Sequence, residues 1–141
     1  MDTPRTIAET LPKTDAAGRP VLAALANNMV SPLAAPVIGE PELVPLTRAD
    51  PHGALVHRGT LVFLLAKCAA KLFPACRFRV RNSIGPALWC TVDAPPGGGA
   101  APAPDALVAK LRPALDAPVQ ADVPTVFEPV AYGHAVARFE R

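Results

Sequence analysis

Proline limits what this chain can fold into. Eighteen of its 141 residues are proline, and each removes a backbone donor and fixes φ at about −65°. Helices and central strands must fit between them, and much of the rest is loop. Where the spacing leaves room, apolar residues mark a helix. Leu61, Leu64, Leu65, Cys68, Ala69 and Leu72 recur at the three-and-four spacing of one helical face. Thr60 stands where an N-cap belongs, and Pro74 closes the segment after Phe73. The sequence therefore predicts a helix from Leu61 to Phe73 whose stripe is buried against a sheet. Lys67 and Lys71, four residues apart, lie on the opposite face.

The strand signals are shorter. Arg77 to Arg81 reads Arg-Phe-Arg-Val-Arg. Strict alternation puts the three arginines on one face, about 6–7 Å apart, with Phe78 and Val80 on the other. Leu88 to Val92 is rich in strand formers, and Asn82 to Pro86 is long enough for a hairpin loop between the two. Val21 to Ala26 is an apolar run that ends on the turn pair Asn27-Asn28. Val30 to Val37, interrupted by Pro32 and Pro36, reads as edge strand or loop. Leu43 to Thr47 is a further strand weakened by Pro45, and Asp50-Pro51-His52-Gly53 reads as a turn. Residues 1–19 look like a loose lead-in with one helical turn. After a Pro- and Gly-rich loop at Pro95 to Pro104, a helix is expected from Asp105 to Leu115, shortened or kinked by Pro113. A strand at Val123 to Val130 and a last helix from Tyr132 to Arg141 follow. The sum is an α+β arrangement.

Charge is distributed unevenly. No acidic residue occurs between Asp50 and Asp93, while Arg58, Lys67, Lys71, Arg77, Arg79 and Arg81 fall inside that window. Residues 51–92 thus carry +6 and the flanks −4. Such a face suits a polyanion such as RNA or a nucleotide, with Trp89 on the next strand available to stack a base. It is also compatible with a solvated basic face, the arginines pairing with Asp or Glu from elsewhere and Trp89 in the core. No carboxylate nearby in sequence competes for the charges.

Enzyme signatures are missing. There is no Gly-rich phosphate loop followed by Lys, no Gly-x-Ser-x-Gly, and no His pair at ligand spacing among His52, His57 and His134. Cys68, Cys76 and Cys90 form no Cys-x-x-Cys pair. An odd cysteine count without an apolar leader points to reduced thiols, hence to the cytoplasm. No cofactor or metal is expected. No run of about 20 apolar residues suggests a membrane span, the longest candidate being Leu61 to Ala66, so no membrane partner is expected either.

The stretch His57-Arg-Gly-Thr-Leu-Val-Phe-Leu-Leu-Ala66, running on to Lys71-Leu-Phe-Pro74, resembles the region before the kinase domain of bacterial-type uridine (nucleoside) kinases. There a Tyr-Arg-Arg-Ser-Leu-x-Phe-Leu-Leu helix leads into Leu-Phe-Pro. Asn82-Ser-Ile-Gly-Pro-Ala-Leu-Trp-Cys90 occupies the place of the family's His-Ser-x-Gly-x-Gly-Leu-Tyr-Cys-like hairpin. Pro129 to Phe139 is similar to its Glu-Ala-x-x-x-Phe ending. Val21 to Val30 resembles the Val-Asn-Asn-Lys-Leu stretch of a small ubiquitin-like TGS unit.

The same region is similar to the second additional domain of threonyl-tRNA synthetases and of AlaX-type editing proteins. The resemblance implies a TGS-like unit over 1–50, and over 51–141 an antiparallel sheet packed against helices, threonyl-tRNA synthetase second-additional-domain-like. It also implies a kinase domain in cis and an accessory, non-catalytic role. The two editing histidines align with Gly59 and Phe63, which can neither ligate a metal nor take a proton. A stand-alone aminoacyl-tRNA deacylase and an interaction domain without a polyanion ligand are the competing readings.

Overall fold

Asn27 and Asn28 both take left-handed backbone, with φ of 48° and 65°, and so close a two-residue hairpin between β1 (Val21–Ala26) and β2 (Met29–Ser31). Asparagine tolerates this region better than most residues, and paired positive φ values match the twist of the flanking strands. The computed structural model describes residues 4–85, 87–123 and 130–139. By packing they fall into two units, Met1–Pro102 and Ala103–Arg141. The secondary structure is α+β with antiparallel sheets.

In the first unit, β3 (Leu43–Thr47) pairs with the other side of β1, giving the order β2-β1-β3. β3 is an edge strand, where Pro45 costs no central ladder bond. The lead-in is held rather than loose. The single turn α1 (Ile7–Thr10) has Ile7 buried, and its backbone bonds to the 33–37 segment through Ile7 N–H to Ala35 O and Ala8 N–H to Leu33 O. Ile7, Val21, Ala23, Ala24, Leu46 and Ala69 form the buried apolar core among the described residues.

The long helix α2 spans Pro51–Leu72. It begins ten residues before the predicted start, and Asp50-Pro51-His52-Gly53 is its first turn rather than a reverse turn. Asp50 stands at the N-cap with extended backbone, and Pro51 fills the first helical position, where its missing N–H removes nothing. Thr60 does not cap. Its hydroxyl donates to the Val56 carbonyl one turn back, at 3.0 Å, so the helix runs through it.

The predicted burial of the apolar stripe is also corrected. Of its six residues only Ala69 is buried; Leu64, Leu65 and Cys68 are half-buried, and Leu61 and Leu72 are exposed. The cause is length. Twenty-two helical residues extend about 33 Å, whereas a six-residue strand extends about 20 Å. The sheet strands β1 and β3 pack on α2, and the stripe outruns them. By length and composition alone α2 is also long and apolar enough to cross a membrane. Considering Leu61 to Ala66 alone missed this.

Beyond α2, β4 (Arg77–Ile84) and β5 (Ala87–Asp93) form an antiparallel hairpin. The predicted loop is shorter than expected because β4 continues to Ile84. A register shift between Val80 and Asn82 makes Arg81 an extra residue, a β-bulge that lets pairing resume beyond it.

In the second unit, α3 (Pro104–Gln120) runs through both Pro113 and Pro118, past the predicted end at Leu115. α4 spans Tyr132–Phe139. Most of the strand expected at Val123 to Val130 lies outside the described residues.

Candidate nucleic-acid interface

The β4–β5 ribbon places its functional side chains by simple alternation. Arg77 lies opposite Asp93 and Arg79 opposite Thr91, and Asn82 faces Trp89. Along β5, Trp89, Thr91 and Asp93 are two apart and share a face. That face carries the arginines. Phe78, Leu88, Cys90 and Val92, on the other face, are half-buried.

Arg81 sits in the bulge, where strict alternation no longer applies. Its side chain nevertheless reaches the same face. The Arg81 Nε–H donates to Thr91 Oγ1 at 3.2 Å, and Nη2 lies 3.7 Å from Asp93 Oδ2. Arg79 Nε lies 3.1 Å from the same Asp93 oxygen. One carboxylate therefore serves two guanidinium groups. For Arg79 and Arg81 this is the alternative in which the arginines pair with an acid from elsewhere in the chain. Asp93 lies one residue past the acid-free window in sequence but directly across the ladder from Arg77. Three arginines against one aspartate leave the face at +2. Arg77 makes no ion pair among the described residues. All these groups are at least a third exposed, so the pairs contribute little to stability and orient the guanidinium groups instead.

Trp89 is 55% exposed. It is not a core residue; it presents its indole beside Asn82 on the arginine side of the ribbon. The structure thus brings Arg77, Arg79, Arg81 and Trp89 together. Lys67 and Lys71 are exposed on the last turns of α2, next to the chain's entry into β4, and α2 packs on β4. Arg58 is separate. Nine residues before Lys67, it lies half a revolution round the helix and roughly 13 Å along it.

Cys68, Cys76 and Cys90 are all thiols. Burial pushes the Cys90 thiol up, which keeps it protonated at neutral pH. Among the described residues no three His, Cys, Asp or Glu side chains gather as a metal site would require. Gly59 and Phe63 lie on exposed positions of α2. The residues missed by sequence reasoning are Asp93 and Thr91, and the signal that would have found them is the cross-strand pairing itself. No family model matches this chain, and neither a curated protein nor a solved structure matches it.

Proposed function

We propose that this chain is a non-catalytic binding module that takes single-stranded RNA along the exposed face of the β4–β5 ribbon. The observation that carries the reading is the half-exposed Trp89 on the same face as Arg77, Arg79 and Arg81. An exposed indole beside a row of guanidinium groups is the combination that binds single strands: the cations follow the backbone, and the ring stacks a base whatever its identity. Lys67 and Lys71 extend the cationic surface onto α2.

The finer fold reading belongs to the same proposal: a TGS-like start, then a threonyl-tRNA synthetase second-additional-domain-like unit, in a cytoplasmic uridine-kinase-like protein with its kinase domain in cis. A short antiparallel sheet, a long helix and a hairpin in that order support it, with Asn82 to Cys90 falling in the hairpin.

The test uses Trp89, the chain's one tryptophan. Titration with a single-stranded RNA at low salt should quench or shift its fluorescence saturably, and duplex RNA should do so far less. Binding that leaves the tryptophan signal unchanged would place the ligand elsewhere.

A further inference from the structure

A second cluster of cationic side chains is built at the other end of the first unit. The register of β1 on β3 pairs Val21 with Thr47. The two residues before β1, Arg19 and Pro20, and the two after β3, Arg48 and Ala49, therefore flank the same end of the sheet. α2 leaves from that end and brings His57, two turns in, over the gap. A cavity of about 460 Å³ is lined by Arg19, Pro20, Leu22, Arg48, Ala49 and His57. Two guanidinium groups and an imidazole thus meet an apolar floor of Pro20, Leu22 and Ala49.

Two carboxylates lie nearby, Asp15 ion-paired with Arg19 and Asp50 bonded to Thr47. Asp15 Oδ1 accepts the Ala17 and Arg19 N–H groups, both at 2.9 Å, and its Oδ2 accepts the Arg19 Nε–H at 2.7 Å. Asp50 Oδ2 accepts both the N–H and the hydroxyl of Thr47, at 2.8 and 2.9 Å. Neither acid lines the cavity. Asp15 grips Arg19 by its Nε edge, which fixes the guanidinium plane and leaves the two Nη groups outside that pair. Arg48 has no ion pair among the described residues.

We propose that this cavity binds a small phosphate monoester of mononucleotide size. Arg19, Arg48 and His57 would take the phosphate, and the Pro20–Leu22–Ala49 floor would take the apolar face of the rest. Planar guanidinium groups match phosphate oxygens in pairs, and the volume lies within the range of small-ligand pockets. The site is separate from the ribbon and shares no residue with it.

The test is a set of calorimetric titrations of the full chain with inorganic phosphate, AMP and adenosine, with His57 ring signals followed by NMR. Phosphate and AMP should bind and shift His57, AMP more tightly, while adenosine should bind at least tenfold more weakly than AMP. Arg48→Ala should weaken AMP at least tenfold with its circular dichroism unchanged, and Arg48→Lys should recover part of the loss. Simultaneous Arg77→Ala, Arg79→Ala and Arg81→Ala should leave AMP binding intact, so failure here and failure of the RNA reading are distinguishable. Adenosine binding as well as AMP, or Arg48→Ala binding AMP like the parent, would overturn the proposal.

Discussion

Replacing glycine by alanine inside a helix usually stabilises it, by about 0.5–1 kcal/mol. α2 contains two glycines for which the structure requires opposite outcomes. A Cβ on Gly59 would meet nothing within 4 Å, so Gly59→Ala should show the ordinary gain. A Cβ on Gly53 would overlap the Thr47 carbonyl oxygen and lie 2.7 Å from the Thr47 carbonyl carbon. These are backbone atoms at the end of β3, and Thr47 is also held by Asp50 through two hydrogen bonds. The helix cannot turn the methyl away, so α2 must lift from the sheet. Overpacking of this kind costs about 1–3 kcal/mol, and the propensity gain offsets only part of it. In a domain near 100 residues, 1 kcal/mol moves the melting temperature by roughly 4–8 °C. Differential scanning calorimetry of the three proteins should place Gly59→Ala a few degrees above the parent and Gly53→Ala several degrees below it. A Gly53→Ala protein that melts at or above the parent would show that α2 does not start at Pro51 against Thr47.

Asp93→Asn should strengthen single-stranded RNA binding, because it removes the one acid on the arginine face, and should change stability by less than about 1 kcal/mol; weaker binding would mean that the carboxylate's orienting effect outweighs its charge. Pro113→Ala should raise the helical signal and stabilise α3 by up to about 3 kcal/mol, read by far-ultraviolet circular dichroism during melting. The N–H and hydroxyl of Thr47 hold the Asp50 carboxyl below its usual value of 3.8. A group depressed on folding stabilises above its unfolded pKa, and that stabilisation is lost as pH falls through its folded pKa. Asp50→Asn should therefore melt below the parent at pH 7, with the gap closing as pH drops below 3.8; a gap independent of pH would remove the carboxylate from the account.

Local chemistry was readable where it acts through neighbours in sequence. Asn27-Asn28 turned the chain where an asparagine pair should, and Pro45 fell on an edge strand. The alternating arginines formed a strand. What eluded the sequence depends on partners. Asp50-Pro51 suits a turn and a helix start equally, and in the fold it starts the helix with the Asp50 carboxylate bonded to Thr47. The stripe from Leu61 to Leu72 has the period of a buried face, but period cannot reveal that the sheet is too short to cover it. Arg81 entered a bulge, and Asp93 became its counter-ion, because the two strands met in one register. Arg19 and Arg48 are 29 positions apart and became neighbours only through the pairing of Val21 with Thr47.

The central claim is that the ribbon arginines bind a single-stranded backbone, and the salt dependence of binding tests it most directly. For single strands the logarithm of the affinity falls with the logarithm of salt by about 0.7 per phosphate neutralised. Arg77, Arg79 and Arg81, with Asp93 taking up part of their charge, should account for a slope of roughly 1.4–2.1. Titrations of a single-stranded RNA from low to physiological salt should give a linear plot for the parent. Replacing the three arginines by alanine should reduce the slope by that amount and leave the melting temperature close to the parent's. An unchanged slope, or no detectable binding by the parent even at low salt, would contradict the account.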